Sequence, residues 1–280
     1  MVVLFHDVSA PTAAGLFSVS NLLQGRVDVW CRCVTAALYL SDDLRRDTVV
    51  SLVLSPPSSE EKHEKEFPTH HNNGRTRVVS VRGDEVEGLA PAETRVALLL
   101  QRATQHASLG ALGELGREAK AAAKTRAANR DEDEKKSARE KKSARNARLR
   151  RNRWVAQRPG SAGPVPGITV TDYLNLETCL NAVCDASHIL GGGPGSILLL
   201  DAAGAPFATQ RKTLGKEKRA SAHPRTTTFV LGDATGITKI ERELLMRRGG
   251  ISTVALGPRV LLASHCIVLA HAALDNADRT

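Results

Sequence analysis

The sequence predicts an α/β protein with a largely parallel sheet flanked by helices, interrupted by charged inserted segments. Three observations predict it. Short apolar or β-branched runs recur: TVVSLVL (48–54), RTRVVSVRG (75–83), SILLLDAAG (196–204), TTFVLGDATGI (227–237) and STVALG (252–257). Segments with helical spacing lie between several of them. Gly- and Pro-rich stretches separate the pieces, and strands alternating with helices call for parallel pairing.

Taken in order, Val29, Cys33, Ala36, Ala37 and Leu40 recur at three- and four-residue steps, so Gly25 to about Leu40 is read as a helix. The strand at 48–54 ends against Pro56-Pro57, and the polar, Pro/Glu/His/Asn-rich stretch from Ser55 to Gly74 is a loop or insertion. After the strand at 75–83, Val96, Leu99, Leu100 and Ala103 mark one side of a helix from Ala92 to His106. The stretch from Leu109 to Arg153 is dominated by Ala, Lys, Arg and Glu and has almost nothing large and apolar to bury. It is an exposed helix or linker on one reading, and an RNA-contacting or nuclear-targeting arm on the other. A short strand at Ile168–Val170 and a helix from near Asp172 follow. The strand at 196–204 leads into a basic, polar insertion from Gln210 to Arg225. Lys239 to Arg248 is a helix stopped by Gly249-Gly250. SHCIVLAHAALDNA is an apolar helix with Ser264 at its start. The chain is read as one domain, 1–280, with insertions at 55–74, 109–150 and 205–225.

The 280 residues carry a net charge of +9, which favours a polyanionic partner. Hydrophobic residues make up 41% and aromatic ones only 3%, so the core is built from Leu, Val, Ile and Ala. No apolar run approaches the roughly 20 residues of a spanning helix, and the short apolar run at the N-terminus lacks a positive leader. The expectation is a soluble protein of the cytoplasm, with the nucleus as the alternative and no membrane partner. Five scattered cysteines, Cys31, Cys33, Cys179, Cys184 and Cys266, argue against a disulfide framework. They include no C-x-x-C pair, and no metal is expected. The absence of G-x-G-x-x-G argues against a Rossmann-type cofactor site.

Three blocks in order, GRVDVWCRCVTAALYLSDDLRRD, FVLGDATGI and VALGPRVLLASHCIVLAHAALD, resemble the archaeal tRNA pseudouridine N1-methyltransferases. The family pattern has a Gly-Arg-x-Asp start, a Cys-Arg-Cys core, a Gly-Asp-x-x-Gly-Ile loop and a His-Cys helix start. Two departures fall inside these blocks: Ala234 stands where a His is common, and Gly257 where a Ser is common. The resemblance implies the SPOUT fold with a C-terminal trefoil knot, a homodimer, S-adenosyl-L-methionine as cofactor and tRNA as substrate, with methylation of N1 of pseudouridine in the T-loop near position 54. Ribosomal RNA as substrate, or a non-catalytic RNA-binding protein of the same fold, are the alternatives.

Carried over onto this sequence, the cofactor contacts are Leu200, Gly232, Leu256, Gly257, Pro258, Arg259, Val260, Leu261 and Cys266. By residue type alone, Leu200 also reads as core, Gly232 as an ordinary turn residue and Cys266 as a small buried apolar group. Asp28 is the candidate for taking or orienting the proton of the ring nitrogen, with Arg26 beside it; a carboxylate at a helix start also caps backbone N–H groups. Arg26, Arg32, Arg45 and Arg46 are candidate RNA phosphate contacts, and on a helix Arg45 and Arg46 can pair with Asp42, Asp43 or Asp47 instead.

Overall fold

The computed structural model describes residues 1–57, 75–109, 164–185, 193–207 and 225–277. Most of the three predicted insertions, 55–74, 109–150 and 205–225, lies outside the described residues. Seven strands form one sheet: β1 (Val2–Phe5), β2 (Val49–Leu54), β3 (Thr76–Arg82), β4 (Ile168–Tyr173), β5 (Gly193–Pro206), β6 (Arg225–Gly232) and β7 (Ile251–Ala255). Their order is β4-β3-β2-β1-β6-β5-β7. The pairings β2–β1, β1–β6, β6–β5 and β5–β7 are parallel, whereas β2–β3 and β3–β4 are antiparallel. The sheet is therefore largely parallel, with an antiparallel edge.

The helices are α1 (Ala10–Ala13), α2 (Val27–Leu38), α3 (93–109), α4 (Leu176–Asp185), α5 (Lys239–Arg248) and α6 (Ala263–Ala277). They cover both faces, and the alternation of strand side chains shows how. Val3, Phe5, Leu52, Leu54, Leu198, Phe229 and Leu231 point to the layer of α2, α3 and α6. Val2, Leu4, Val53, Ile197, Leu199 and Val230 point to the layer of α4 and α5. Both sets are buried, so the central strands are continuous apolar runs rather than alternating ones. Full burial of a side chain such as Leu4, Leu52 or Leu199 contributes about 1.5–3 kcal/mol each. Trp30 of α2 fills the first layer between Phe5 and Phe17, with ring centroids 6.0 and 6.1 Å away. Cys31 and Cys33 are both fully buried in that layer.

Three details differ from the sequence expectations. Residues 2–5 form the central strand β1, which apolar periodicity did not single out. Strand β4 runs through Asp172 to Tyr173, and the next helix begins at Leu176 with Asn175 accepting from the Thr178 N–H at 2.9 Å. Asp172 stays in the sheet because it holds the buried Arg77 of β3 by two hydrogen bonds of 2.6 and 2.8 Å. Arg77 also donates to Ala13 and Ser108, tying β3 to α1 and α3. Strand β5 extends beyond Gly204 to Pro206, so the third insertion begins later than residue 205.

Candidate active site

The carboxyl ends of β5 and β7 shape a cleft. Along β7, both Leu200 and Ala205 of β5 lie opposite Val254, so residues 201–204 bulge out of the ladder. Gly204 permits that bulge, because a Cβ there would stand 2.6 Å from the Val254 backbone. Asp201 pins it from the far side by accepting from Arg242 of α5. The cleft beside the bulge has a volume of about 680 Å³. Its walls are Ala202 and Pro206 of β5 with Phe207 just beyond it, Ala255 to Pro258 at and after the end of β7, and Leu269, Ala272, Ala273 and Asn276 of α6. The lining is mostly apolar.

Of the residues carried over as cofactor contacts, Leu256, Gly257 and Pro258 line this cleft. A Cβ built on Gly257 meets nothing within 4 Å, so the Ser common at this position would be accommodated. Arg259 and Val260 follow on the exposed part of the loop, Val260 being 87% exposed. Leu261 is half-buried, and its carbonyl lies 4.0 Å from the Cys266 sulfur. Cys266 packs at the edge of the core, and burial pushes its thiol up, so it is a neutral thiol at pH 7. Leu200 is a core residue, 9% exposed.

Gly232 stands elsewhere, at the end of β6, as the first residue of a tight loop. A Cβ on it would lie 1.9 Å from the Gly236 carbonyl oxygen, so the loop closes only around glycine. Within the loop, the Gly236 N–H donates to the Asp233 carbonyl at 3.1 Å. Ala234 is exposed at its tip. The Asp233 N–H donates to Leu4 at 2.9 Å, which fastens the loop to β1.

Sequence reasoning missed His6, which follows β1 directly. Its Nδ1 lies 3.2 Å from Asp233 and 3.0 Å from the Thr235 hydroxyl, and its Nε2 lies 2.9 Å from both oxygens of Glu241. Glu241 is 1% exposed and also accepts from the Thr238 N–H, forming the capping box of α5. Hydrogen bonds to Asp233 and Glu241 push the His6 ring up to about 10. Burial opposes the charge of Asp233, but hydrogen bonds from His6 and Thr235 outweigh it and hold the carboxyl well below the usual range.

Asp28 and the predicted arginines lie around α2. Arg26, just before the helix, is exposed and left-handed at φ 57°, a conformation that costs an L-residue about 1–2 kcal/mol. Its side chain makes no hydrogen bond or ion pair among the described residues. Asp28 is 7% exposed; one oxygen accepts from Arg32, and Oδ1 is buried without a hydrogen-bond partner among the described residues. Arg32 also lies 3.8 Å from Glu93. Arg45 makes two hydrogen bonds, 2.9 and 2.6 Å, to Asp275 of α6. Arg46 pairs with Asp43 and donates to the Gly83 carbonyl. Of the predicted RNA contacts, Arg32, Arg45 and Arg46 thus have partners inside the protein.

The fold and the cleft define a parallel-sheet α/β protein with a cofactor-sized pocket at its strand carboxyl ends, where such folds take their ligands. Ligand sites span roughly 300–1,000 Å³, so the cleft suits a nucleoside-sized group. Its apolar walls and a glycine with open space beside it suit an adenine ring. The chain belongs to the family of SAM-dependent RNA methyltransferases, which it matches over residues 5–128 and 210–279. The tRNA (pseudouridine(54)-N(1))-methyltransferase of Haloferax volcanii is 26% identical over 99% of this chain and 96% of its own. The protein of the same name from Methanococcoides burtonii is 25% identical over 93% of this chain and 89% of its own. Among solved structures, Archaeoglobus fulgidus Nep1 bound to S-adenosylhomocysteine aligns over 100% of this chain and 99% of that one, at 10% identity and a TM-score of 0.43. Among the described residues no cluster of His, Cys, Asp and Glu could hold a metal, and no helix is long and apolar enough to cross a membrane.

Proposed function

We propose that this protein methylates N1 of pseudouridine in tRNA, in the T-loop near position 54, with S-adenosylmethionine as methyl donor. The observation that supports this reading most is the reach of the similarity: relatives named for that reaction align across 93–99% of the chain. When bound, the cofactor supplies an electrophilic methyl group. Leu256, Gly257 and Pro258 would hold it in the cleft, with Gly232 fixing the neighbouring loop.

The chain's own part in the chemistry is to position groups and to manage one proton. The acceptor nitrogen carries a weakly acidic hydrogen, and Asp28 is the residue for it. Its Oδ1 is a buried acceptor without a partner among the described residues, while Arg32 fixes the other oxygen. Arg26 and Arg259, exposed and without partners among the described residues, contact RNA phosphates. Arg46, 55% exposed on its side chain, can add a contact by leaving Asp43, whereas Arg45 serves chiefly to hold α6. In this reading the C-terminal part of the chain is knotted and the 280 residues form one domain. Two copies pair through the apolar surface beside the cleft, where Val260, Leu262, Val268 and Leu269 are exposed. The enzyme works in the cytoplasm.

The test offers purified protein methyl-labelled S-adenosylmethionine with either the tRNA or the ribosomal RNA of cells lacking the modification. Label entering tRNA alone supports the proposal. Label entering ribosomal RNA alone moves the substrate, and label in neither leaves a non-catalytic binder.

A further inference from the structure

The geometry points to His6 as a positioning residue: its charged ring, tied to Asp233 and Glu241, sets the loop 232–236 in the form that receives the methyl donor. This rests on the reading that S-adenosylmethionine binds at the carboxyl ends of these strands.

The argument begins with topology. The chain leaves β1 toward α2, in one helix layer, and leaves β6 toward α5, in the other. Connections that diverge from neighbouring parallel strands open a crevice between their carboxyl ends, where open α/β sheets bind ligands. His6 and the loop 232–236 line that divergence. Strand β6 also lies beside β5, whose carboxyl end walls the cleft, so the loop and the cleft sit on the same edge of the sheet.

Two carboxylates face the two ring nitrogens, and a ring that donates to both is an imidazolium. The side chains of His6, Asp233 and Glu241 are 13%, 16% and 2% exposed, so water does little to replace these contacts. The clamp holds the loop at both ends. Asp233 accepts from the His6 main-chain N–H at 3.2 Å as well as from the ring, and Glu241 joins the ring to the first turn of α5. A neutral ring keeps one N–H and can donate to only one of the two carboxylates, so the tie between the loop and α5 through the ring is weakened. Asp233 and Glu241 are the charged groups facing the ring, and the Thr235 hydroxyl completes its surroundings.

Glu241→Gln separates this role from mere packing, because Gln retains the shape and the capping function but removes one charge. The His6 ring is followed by nitrogen NMR from pH 6 to 9, assigned by its disappearance in His6→Gln, and S-adenosylhomocysteine affinity is measured by calorimetry over the same range. In the unmodified protein the ring should stay charged and the affinity should be nearly flat. In Glu241→Gln the ring should titrate within the range, and affinity should fall about fivefold or more as it loses its proton, through linkage of proton and ligand. Asp233→Asn gives the same comparison where Glu241→Gln does not fold. A ring that titrates without any change in affinity overturns the positioning role. A ring that remains charged in both variants overturns the claim that the paired carboxylates hold its charge. An unmodified protein that binds no S-adenosylhomocysteine at any pH removes the cofactor reading itself, and this inference with it.

Discussion

Replacing Gly232 by Ala tests the site geometry with a single methyl group. The new Cβ would sit 1.9 Å from the Gly236 oxygen, 2.2 Å from its carbonyl carbon and 2.9 Å from its Cα. All three are backbone atoms, so no side-chain rotation relieves the clash and the loop must open. Overpacking of this kind costs about 1–3 kcal/mol. For a fold of this size each kcal/mol lowers Tm by about 2–4 °C, which predicts a drop of about 2–12 °C. Gly257→Ala is the control, since nothing lies within 4 Å of its Cβ; it should shift stability by less than about 0.5 kcal/mol. Scanning calorimetry at pH 7 measures both, and calorimetric titration with S-adenosylhomocysteine should show weakened binding by Gly232→Ala. If Gly232→Ala melts with the wild type, or both variants fall equally, the loop geometry argued here is wrong.

Further outcomes follow from other residues. Asp28→Asn should lower kcat by about 10²-fold or more while leaving S-adenosylhomocysteine affinity unchanged; normal turnover would remove Asp28 from the chemistry. Arg26→Ala should weaken RNA binding without loss of stability and reduce the salt slope by about 0.7–0.9 for one lost phosphate contact, measured by titration at several salt concentrations. Because His6 is raised from 6.5 to about 10 on folding, its contribution to stability is full below pH 6.5 and is lost as pH rises through 10. Thermal melts should therefore decline across that window, and His6→Gln should flatten the decline. Leu262→Asp with Val268→Asp should convert a dimer to a monomer in light scattering, and an unchanged mass would place any dimer contact elsewhere.

The sequence revealed elements whose signals are local. Helix α2 was legible because its apolar residues fall at three- and four-residue steps, and α5 because Gly249-Gly250 ends it where the pattern stops. Strand β1 was not, because a four-residue strand buried on both faces has no alternation to show and sits where an apolar start attracts no notice. The helix after β4 was placed too early because Asp172 reads as a helix start. Its partner Arg77 lies 95 residues away and holds it in the sheet instead. The turn 256–258 was recoverable from its place after a strand, but the cleft wall from β5 depends on a bulge that shows only in the pairing with β7. His6 left no trace in the sequence, since its two partners lie 227 and 235 residues away. A histidine becomes a clamp only when the fold brings such residues together.

The measurement closest to the central claim is nucleoside mass spectrometry of a tRNA incubated with the protein and S-adenosylmethionine, with either pseudouridine or uridine at position 54. The account predicts N1-methylpseudouridine from the first tRNA and no methylated nucleoside from the second. Methylation of the uridine tRNA to the same extent, or a methyl group on any atom other than N1, would contradict it.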